Sequence, residues 1–367
     1  MENEVQRCSK CVLPASYANL SFDGEGVCSK CREHRGSPKI NFQQSEKILK
    51  EIFEQAKKKN NTYDCIIGLS GGKDSSYAAL LAVEKYNANP LCVTFDNGFF
   101  SDLAKENIQK VTGYLNVDHL FFKPRGELMK RLRRHFLTTT GEFCTPCNIG
   151  ITSLLYSAAK TYRVPLIISG TSPYTDAPED INIYHISPEY FSRVARDAFT
   201  PQEIRDFFHA TTLPRALYHV TRRIRFIQIP RYLRWDEDEI KEVLHQTMGW
   251  KVINAVTMEH TDCIAGPFKE YLHIKEFGYS EKAIMFSNLV RNGYITRETA
   301  MEKVTQFEND IMQRAPEIVR TFTAMLDMSE NDLENAMKMS QGPYIPRSAR
   351  IFDSLLHNEF IMRRIVH

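Results

Sequence analysis

Long apolar runs are missing from this 367-residue chain. No stretch approaches the ~20 apolar residues of a bilayer-spanning helix, so no membrane span is expected. The opening residues, MENEVQRCSK, lack the apolar core of a secretory signal, and a cytoplasmic location is expected. An excess of charge of one sign is also absent: 47 Lys and Arg against 45 Asp and Glu leave a formal net charge of +2. Bulk electrostatics therefore give no reason to expect a nucleic-acid partner. Internal repeats, low-complexity tracts and a Ser-His-Asp constellation are not found. The composition is that of a globular protein, and the length fits two or three domains.

Cysteine, by contrast, is plentiful, with nine residues. In a cytoplasmic chain these are expected to be reduced, ligating or buried, not disulfide-bonded. Cys8 and Cys11 form one C-x-x-C and Cys28 and Cys31 another, with residues 12–27 between them. That is zinc-ribbon spacing: each pair sits on a tight knuckle, and four thiolates close a tetrahedral site. The expectation is structural Zn²⁺ without catalysis; the alternative is a pair of unmetallated or redox-active dithiols.

Beyond a helical stretch at 41–59, read as a linker helix, strand and helix patterns alternate. Strands are expected at 63–70, 90–96, 118–123 and 164–170. Helices are expected at 74–86, 101–115, 126–138 and 148–163, with Asp74 or a serine capping the first and Ser101 the second. Continuous apolar strands alternating with helices imply an α/β fold with a doubly wound parallel sheet. Beyond residue 173 the strand pattern is lost, and after 256 the chain reads as mostly helical. The expected organisation is a zinc ribbon at 1–40, the sheet domain at 41–255 and a helical region at 256–367.

The first strand ends in IIGLSGGKDSS. Where a buried strand feeds a helix, free backbone N–H groups and the helix dipole favour an anion. Gly71 and Gly72 allow close approach, Ser70, Ser75 and Ser76 offer hydroxyls, and Lys73 offers a point charge. The spacing is not G-x-x-x-x-G-K-[ST]. SGGKDS instead resembles the PP-loop of the adenylating ATP pyrophosphatases, which have an adenine nucleotide alpha hydrolase-like (HUP) fold. The resemblance implies ATP with Mg²⁺, cleaved between its α- and β-phosphates, with Lys73 and Asp74 as catalytic residues. It also makes Asp96 and Asn97, after the second strand, and Gly170 and Thr171, after the fourth, candidate ATP contacts. These segments converge at the carboxyl edge of the sheet.

A third C-x-x-C, Cys144 and Cys147, has no local second pair; Cys263 is its one plausible partner. Cys65 and Cys92 lie in apolar strands and read as core residues. Three thiolates can hold a 4Fe-4S cluster with one iron open. A zinc site completed by His260 or Asp262 and a structural dithiol are the alternatives. The three cysteines are expected to converge beside the ATP site. The basic segment Arg222, Arg223 and Arg225 is read as either an anion contact or a solvated face, and YLRWDEDEIKEVLHQTMGWK has no evident mechanism by itself.

The order CSKCVLP…FDGEGVCSKC, GLSGGKDSS, EFCTPCNIG, YLRWDEDE…GWK and TDC…YLHIKEFGYS is similar to that of the N-acetyl sugar amidotransferase family of the PP-loop superfamily. The resemblance runs from Cys8 to about Thr299 and is loose over 173–230, where substrate contacts are expected. It implies adenylation of the amide oxygen of a nucleotide-linked N-acetyl sugar and its displacement by ammonia. The product is an amidino sugar for surface polysaccharide, and the ammonia comes from a separate glutaminase partner; no glutaminase triad or N-terminal nucleophilic cysteine is evident in this chain. The alternative within the superfamily is iron–sulfur-dependent sulfur transfer to tRNA or a small molecule, the one reading with a nucleic-acid partner. A non-catalytic ATP- or zinc-binding scaffold is the alternative from another class, and intact Lys73 and Asp74 argue against it.

Overall fold

A computed structural model describes residues 6–17, 20–34, 41–59, 61–171, 188–207, 224–251, 263–339 and 344. Among the described residues the sheet holds five strands: β1 (Cys65–Gly68), β2 (Pro90–Phe95), β3 (Asp118–Phe122), β4 (Leu166–Ser169) and β5 (Arg225–Gln228). All neighbours are parallel, in the order β3-β2-β1-β4-β5. The expected α/β parallel sheet is present, with one strand more than expected. β5 lies beyond residue 173, where strands were not expected, and pairs with β4 from Leu166 opposite Arg225 to Ser169 opposite Gln228. Arg225 thus lies in an edge strand and is exposed. Arg222 and Arg223 fall outside the described residues.

The alternating geometry of a strand sends successive side chains to opposite faces, and the two cores divide accordingly. Ile67 packs with helix α2 (Phe42–Lys57), α3 (Lys73–Leu80) and α4 (Asp102–Leu115), through Leu49, Phe53, Ala78, Ile108 and Val111. Ile66 faces α6 (Thr145–Thr161), which follows α5 (Leu128–Thr140), through Leu155, Tyr156 and Ala159. Covering both faces makes β1 and β2 continuously apolar, as parallel strands require. The expected linker helix α2 is therefore part of the sheet's cover. α3 begins at Lys73 after Gly72, with no side-chain cap, so the expected Asp74 or serine cap is not formed. Its last turn runs into a π-helical segment, Leu81–Lys85. Ser101 caps α4 as expected, accepting from the backbone N–H of Ala104 at 3.0 Å.

After β5 come α9 (Glu237–Met248), α10 (Gly266–Phe277), α11 (Glu281–Arg291), α12 (Arg297–Gln313), α13 (Ala315–Met325) and α14 (Glu330–Ala336), preceded by the short α1 (Ser29–Glu33), α7 (Pro188–Ala195) and α8 (Pro201–Phe207). α9 packs on the sheet domain, burying Ile240, Leu244 and Trp250 in the α2–α4 core. α10, α13 and α14 gather around Phe99, Phe143, Phe268 and Phe322. The cysteine knuckles at 8–31 share a cluster with Tyr279, Ile284, Phe286 and Val304. Among the described residues, no helix is long and apolar enough to cross a membrane.

Candidate functional site

The strand order reverses between β1 and β4: β2 and β3 run out on one side of β1, and the chain returns to place β4 on the other. A crevice at such a switch point is where open α/β sheets bind ligands. The SGGKDS turn leaves β1 there, and Gly170 leaves β4 there.

Two glycines set the turn. Gly71 has φ +80°, and a Cβ on it would lie 2.3 Å from the carbonyl oxygen of Ala104 in α4. Gly170 lies so close to α3 that a Cβ would meet the carbonyl oxygen of Asp74 at 2.2 Å. The SGGKDS turn and the loop after β4 are thus in backbone contact. The serines hold the turn together. Ser75 Oγ accepts from the backbone N–H of Ser70 at 3.1 Å and donates to the carbonyl of Gly72 at 3.2 Å. Ser70 Oγ lies 3.1 Å from Ser75 Oγ and accepts from the N–H of Gly72 at 3.3 Å. Ser76 is fully buried, and its hydroxyl has no hydrogen-bond partner. Without a side-chain cap, the first turn of α3 keeps N–H groups that lack an intrahelical acceptor.

Lys73 stands between two carboxylates: its Nζ is 3.1 Å from Asp74 Oδ2 and 3.3 Å from Glu237 Oε1. Asp74 Oδ1 in turn accepts from the indole N–H of Trp235 at 2.8 Å, and the Trp235 ring packs edge-on to Tyr77. The carbonyl of Gly71 accepts from Trp250 Nε1 at 3.0 Å and from Asn107 Nδ2 at 3.2 Å. Asn107 also accepts from the N–H of Lys251 and donates to its carbonyl. The YLRWDEDE…GWK stretch, without evident mechanism in sequence, therefore grips the PP-loop from outside. Local structure explains how: Asp236 caps α9 by accepting from Asp238 N and Glu239 N, which sets Glu237 on its first turn. Trp235, Glu237, Trp250 and Asn107 are the site residues that sequence reasoning missed.

Asp96 and Asn97 shape the loop after β2. Asp96 Oδ1 accepts from Gly98 N at 2.9 Å, and Asn97 Oδ1 from Phe99 N at 2.7 Å. Asn97 is buried and donates from Nδ2 to Cys147 Sγ at 3.3 Å. The same loop meets Cys263, which bridges Phe100, while Ile264 N donates to Phe99 O at 2.9 Å. Cys144 and Cys263 pack in the aromatic cluster around Phe99. Residues 97–100 thus contact Cys147 and Cys263 after β2, with Cys144 packed in the same aromatic cluster as Phe99. Thr171 is exposed, its N–H and hydroxyl bonded to Ser169 Oγ. His260 and Asp262 lie outside the described residues.

The sulfurs of Cys8, Cys11, Cys28 and Cys31 all lie within 4.8 Å of one another and are buried. The Cys8–Cys31 and Cys11–Cys28 separations are both 3.9 Å. A tetrahedron with metal–sulfur bonds of about 2.3 Å has edges of about 3.8 Å, so the cage is preformed for one ion. Thiols this close cannot ionise independently. Hydrogen bonds from Cys28 and Cys31 hold the Cys11 thiol far below its usual range, and Cys28, bonded to Cys11, is pushed up to about 12. This is a four-thiolate metal site, as the spacing predicted. Among the described residues, no other set of three Cys, His, Asp or Glu closes to that distance. Cys144, Cys147 and Cys263 therefore do not form a second preformed cage for a single ion. Burial drives Cys65 far above the ordinary thiol range and Cys92 up to about 12, as expected for inert core residues.

Residues 231–355 match the family model "LPS biosynthesis protein WbpG-like, C-terminal domain". Trp235, Glu237 and Trp250 lie within that match. An uncharacterized protein of Methanocaldococcus jannaschii, MJ1599, is 37% identical over 113 residues, 30% of this chain. The chain spans 40% of the length of that curated relative. Among solved structures, NMN synthetase from Francisella tularensis aligns at 16% identity and TM-score 0.31, over 59% of this chain and 89% of its own. The U34-tRNA thiolase NcsA from Methanococcus maripaludis with its 4Fe-4S cluster aligns at 14% identity and TM-score 0.36, over 84% and 87%. The SGGKDS turn thus stands in the strand–turn–helix setting of the loop it resembles, and residues 231–355 are similar to a WbpG-like C-terminal domain.

Proposed function

We propose that this PP-loop chain with a WbpG-like C-terminal domain is an adenylating amidotransferase, which converts the amide of a nucleotide-linked N-acetyl sugar into an amidine for surface polysaccharide. The observation that carries the reading is the uncapped N-terminus of α3, with Lys73 beside it and Gly170 in backbone contact. An anion placed there meets backbone N–H groups, the positive end of the helix dipole and an ammonium group.

In this reading the triphosphate of ATP lies on the turn. The acceptor's amide oxygen attacks the α-phosphorus, and the bond to the β-phosphate oxygen breaks. Lys73 stabilises the charge gathering on the leaving pyrophosphate. The acceptor is now an O-adenylated imidate. Ammonia adds to its carbon, AMP leaves with the oxygen, and loss of a proton gives the amidine. Asp74 and Glu237 supply the hard carboxylate oxygens that suit Mg²⁺. When bound, Mg²⁺ would neutralise phosphate charge. Both carboxylates are paired with Lys73 here, so ligand entry requires that pairing to be rearranged. Trp235 fixes Asp74, and Trp250 with Asn107 fixes the peptide after Gly71. The four-thiolate site takes Zn²⁺ in a structural role, since four ligands leave no open position. A separate glutaminase partner supplies the ammonia.

Sulfur transfer is the second reading, favoured by the contacts of Cys147 and Cys263 with residues 97–100 and by Cys144 in the aromatic cluster of Phe99. The test is to incubate the chain with ATP, Mg²⁺ and a panel of nucleotide-linked N-acetyl sugars, with ammonium or with sulfide. Amidine formation with ammonium alone supports the proposal. Thiolated product, or AMP release with tRNA and none of the sugars, overturns it in favour of sulfur transfer.

A further inference from the structure

Arg133, on α5, is 1% exposed, and its Nε and Nη1 have no hydrogen-bond partner. An arginine stays protonated in a protein, so this is a buried charge rather than a neutral group. Burying a charge without a partner is strongly destabilising. Its guanidinium lies over the face of Phe99, with Cζ 3.9 Å from the ring centroid. A cation–π contact offsets only part of what burying a charge costs.

The place of this charge is specific. Phe99 belongs to the loop that contacts Cys147 and Cys263, and Cys144 packs in the same cluster as Phe99. Two other charged groups near Cys144 are partnered. Glu142 accepts from the backbone N–H groups of Cys144 and Thr145, and Lys269 pairs with Glu281 at 2.5 Å. Thr145, between the two cysteines, is also fully buried, with a hydroxyl bonded to nothing. Orphaned donors on this side of Cys144 fit an anionic occupant.

The geometry points to Arg133 as the internal counter-cation of a 4Fe-4S site held by Cys144, Cys147 and Cys263. This rests on reading those three cysteines as a cluster site. Three thiolates and their cluster carry net negative charge, and the guanidinium donates to thiolate or sulfide sulfur from Nε and Nη1. The three sulfurs do not all lie within the 4.8 Å of one another that marks the N-terminal cage, so they do not suit a single ion, whereas a cluster takes each thiolate on a separate iron.

The account makes opposite demands on the empty and the loaded protein. Arg133→Met removes an uncompensated charge, so the cluster-free full-length chain should melt at a higher temperature than wild type. After anaerobic reconstitution with iron and sulfide, the same variant should lose iron to a chelator about 10–100-fold faster, as outer-shell partners of metal sites typically do. Its cluster potential should move negative, and Arg133→Lys should restore most of the potential. A purely structural arginine would give a lower melting point on substitution and no charge-dependent potential. If Arg133→Met retains its cluster with unchanged potential, the counter-cation assignment is wrong while the cluster reading stands. If the wild-type chain takes up no iron beyond the N-terminal cage, with Cys8→Ser as control, both are wrong.

Discussion

The indole N–H of Trp250 donates to the carbonyl oxygen of Gly71 at 3.0 Å, joining residues 179 apart in sequence. Trp250 is 2% exposed, and Asn107 gives the same carbonyl a second donor. The segment that matches the WbpG-like domain is thereby tied to the SGGKDS turn. Its tryptophan supplies packing and a hydrogen bond, which separate cleanly in a Trp250→Phe variant. Net hydrogen bonds contribute about 1 kcal/mol. The variant should therefore bind ATP about fivefold more weakly while folding normally; isothermal titration with ATP measures it, and unchanged affinity would show that the clamp does not shape the turn.

Gly170→Ala places a methyl 2.2 Å from the carbonyl oxygen of Asp74, where backbone and not a flexible side chain must move. Overpacking of this kind costs about 1–3 kcal/mol. The variant should lose that stability in urea unfolding and lose ATP binding as well. Wild-type stability would mean that the β4 loop and the PP-loop are not in contact in solution.

The metal cage is predicted to stabilise the far end of the chain. Arg297 Nε donates to the carbonyls of Cys8 at 3.1 Å and Cys11 at 3.0 Å, and Arg7 pairs with Glu308 at 2.7 Å. Cys8→Ser or Cys28→Ser should release one metal ion per chain and raise hydrogen exchange in α11 and α12, not only in residues 6–34. Exchange confined to the knuckles would contradict the coupling.

Burial, and then the charge of Glu281, pushes the Glu270 carboxyl up to about 7, with Lys269 and Lys282 opposing. The folded state thus holds this proton more tightly than the unfolded chain, whose carboxyl titrates near 4.5. Stability from this group is full below pH 4.5 and is lost as pH rises through 7. Glu270→Gln should therefore stabilise the protein by about 1–3 kcal/mol at pH 8 and by little at pH 4.5. Equal effects at both pH values in thermal unfolding would refute the assignment.

Local pattern made much of this legible. β1 to β4, the SGGKDS turn and the four-cysteine cage are each specified within a few dozen residues, by apolar runs, glycines or ligand spacing. β5 was not, because RFIQ is a short edge strand whose first two residues, Arg225 and Phe226, are exposed and whose pairing with β4 is non-local. Trp235, Glu237 and Trp250 carry no periodic signal that distinguishes a clamp from a core, since their partners Asp74, Lys73 and Gly71 lie more than 150 residues away in sequence. Arg133 carries no signal in the sequence that sets it apart; only its burial separates it from Arg131 and Arg134 on the same helix.

The central claim is cleavage of ATP between its α- and β-phosphates at the turn holding Lys73. Phosphorus NMR of the full chain with ATP, Mg²⁺, ammonium and the sugar panel measures it directly. The account predicts AMP and pyrophosphate in equal amounts, with Lys73→Ala slowing their appearance by about 10²–10³ while the fold is kept. ADP and inorganic phosphate as products, or undiminished turnover by Lys73→Ala, would contradict it.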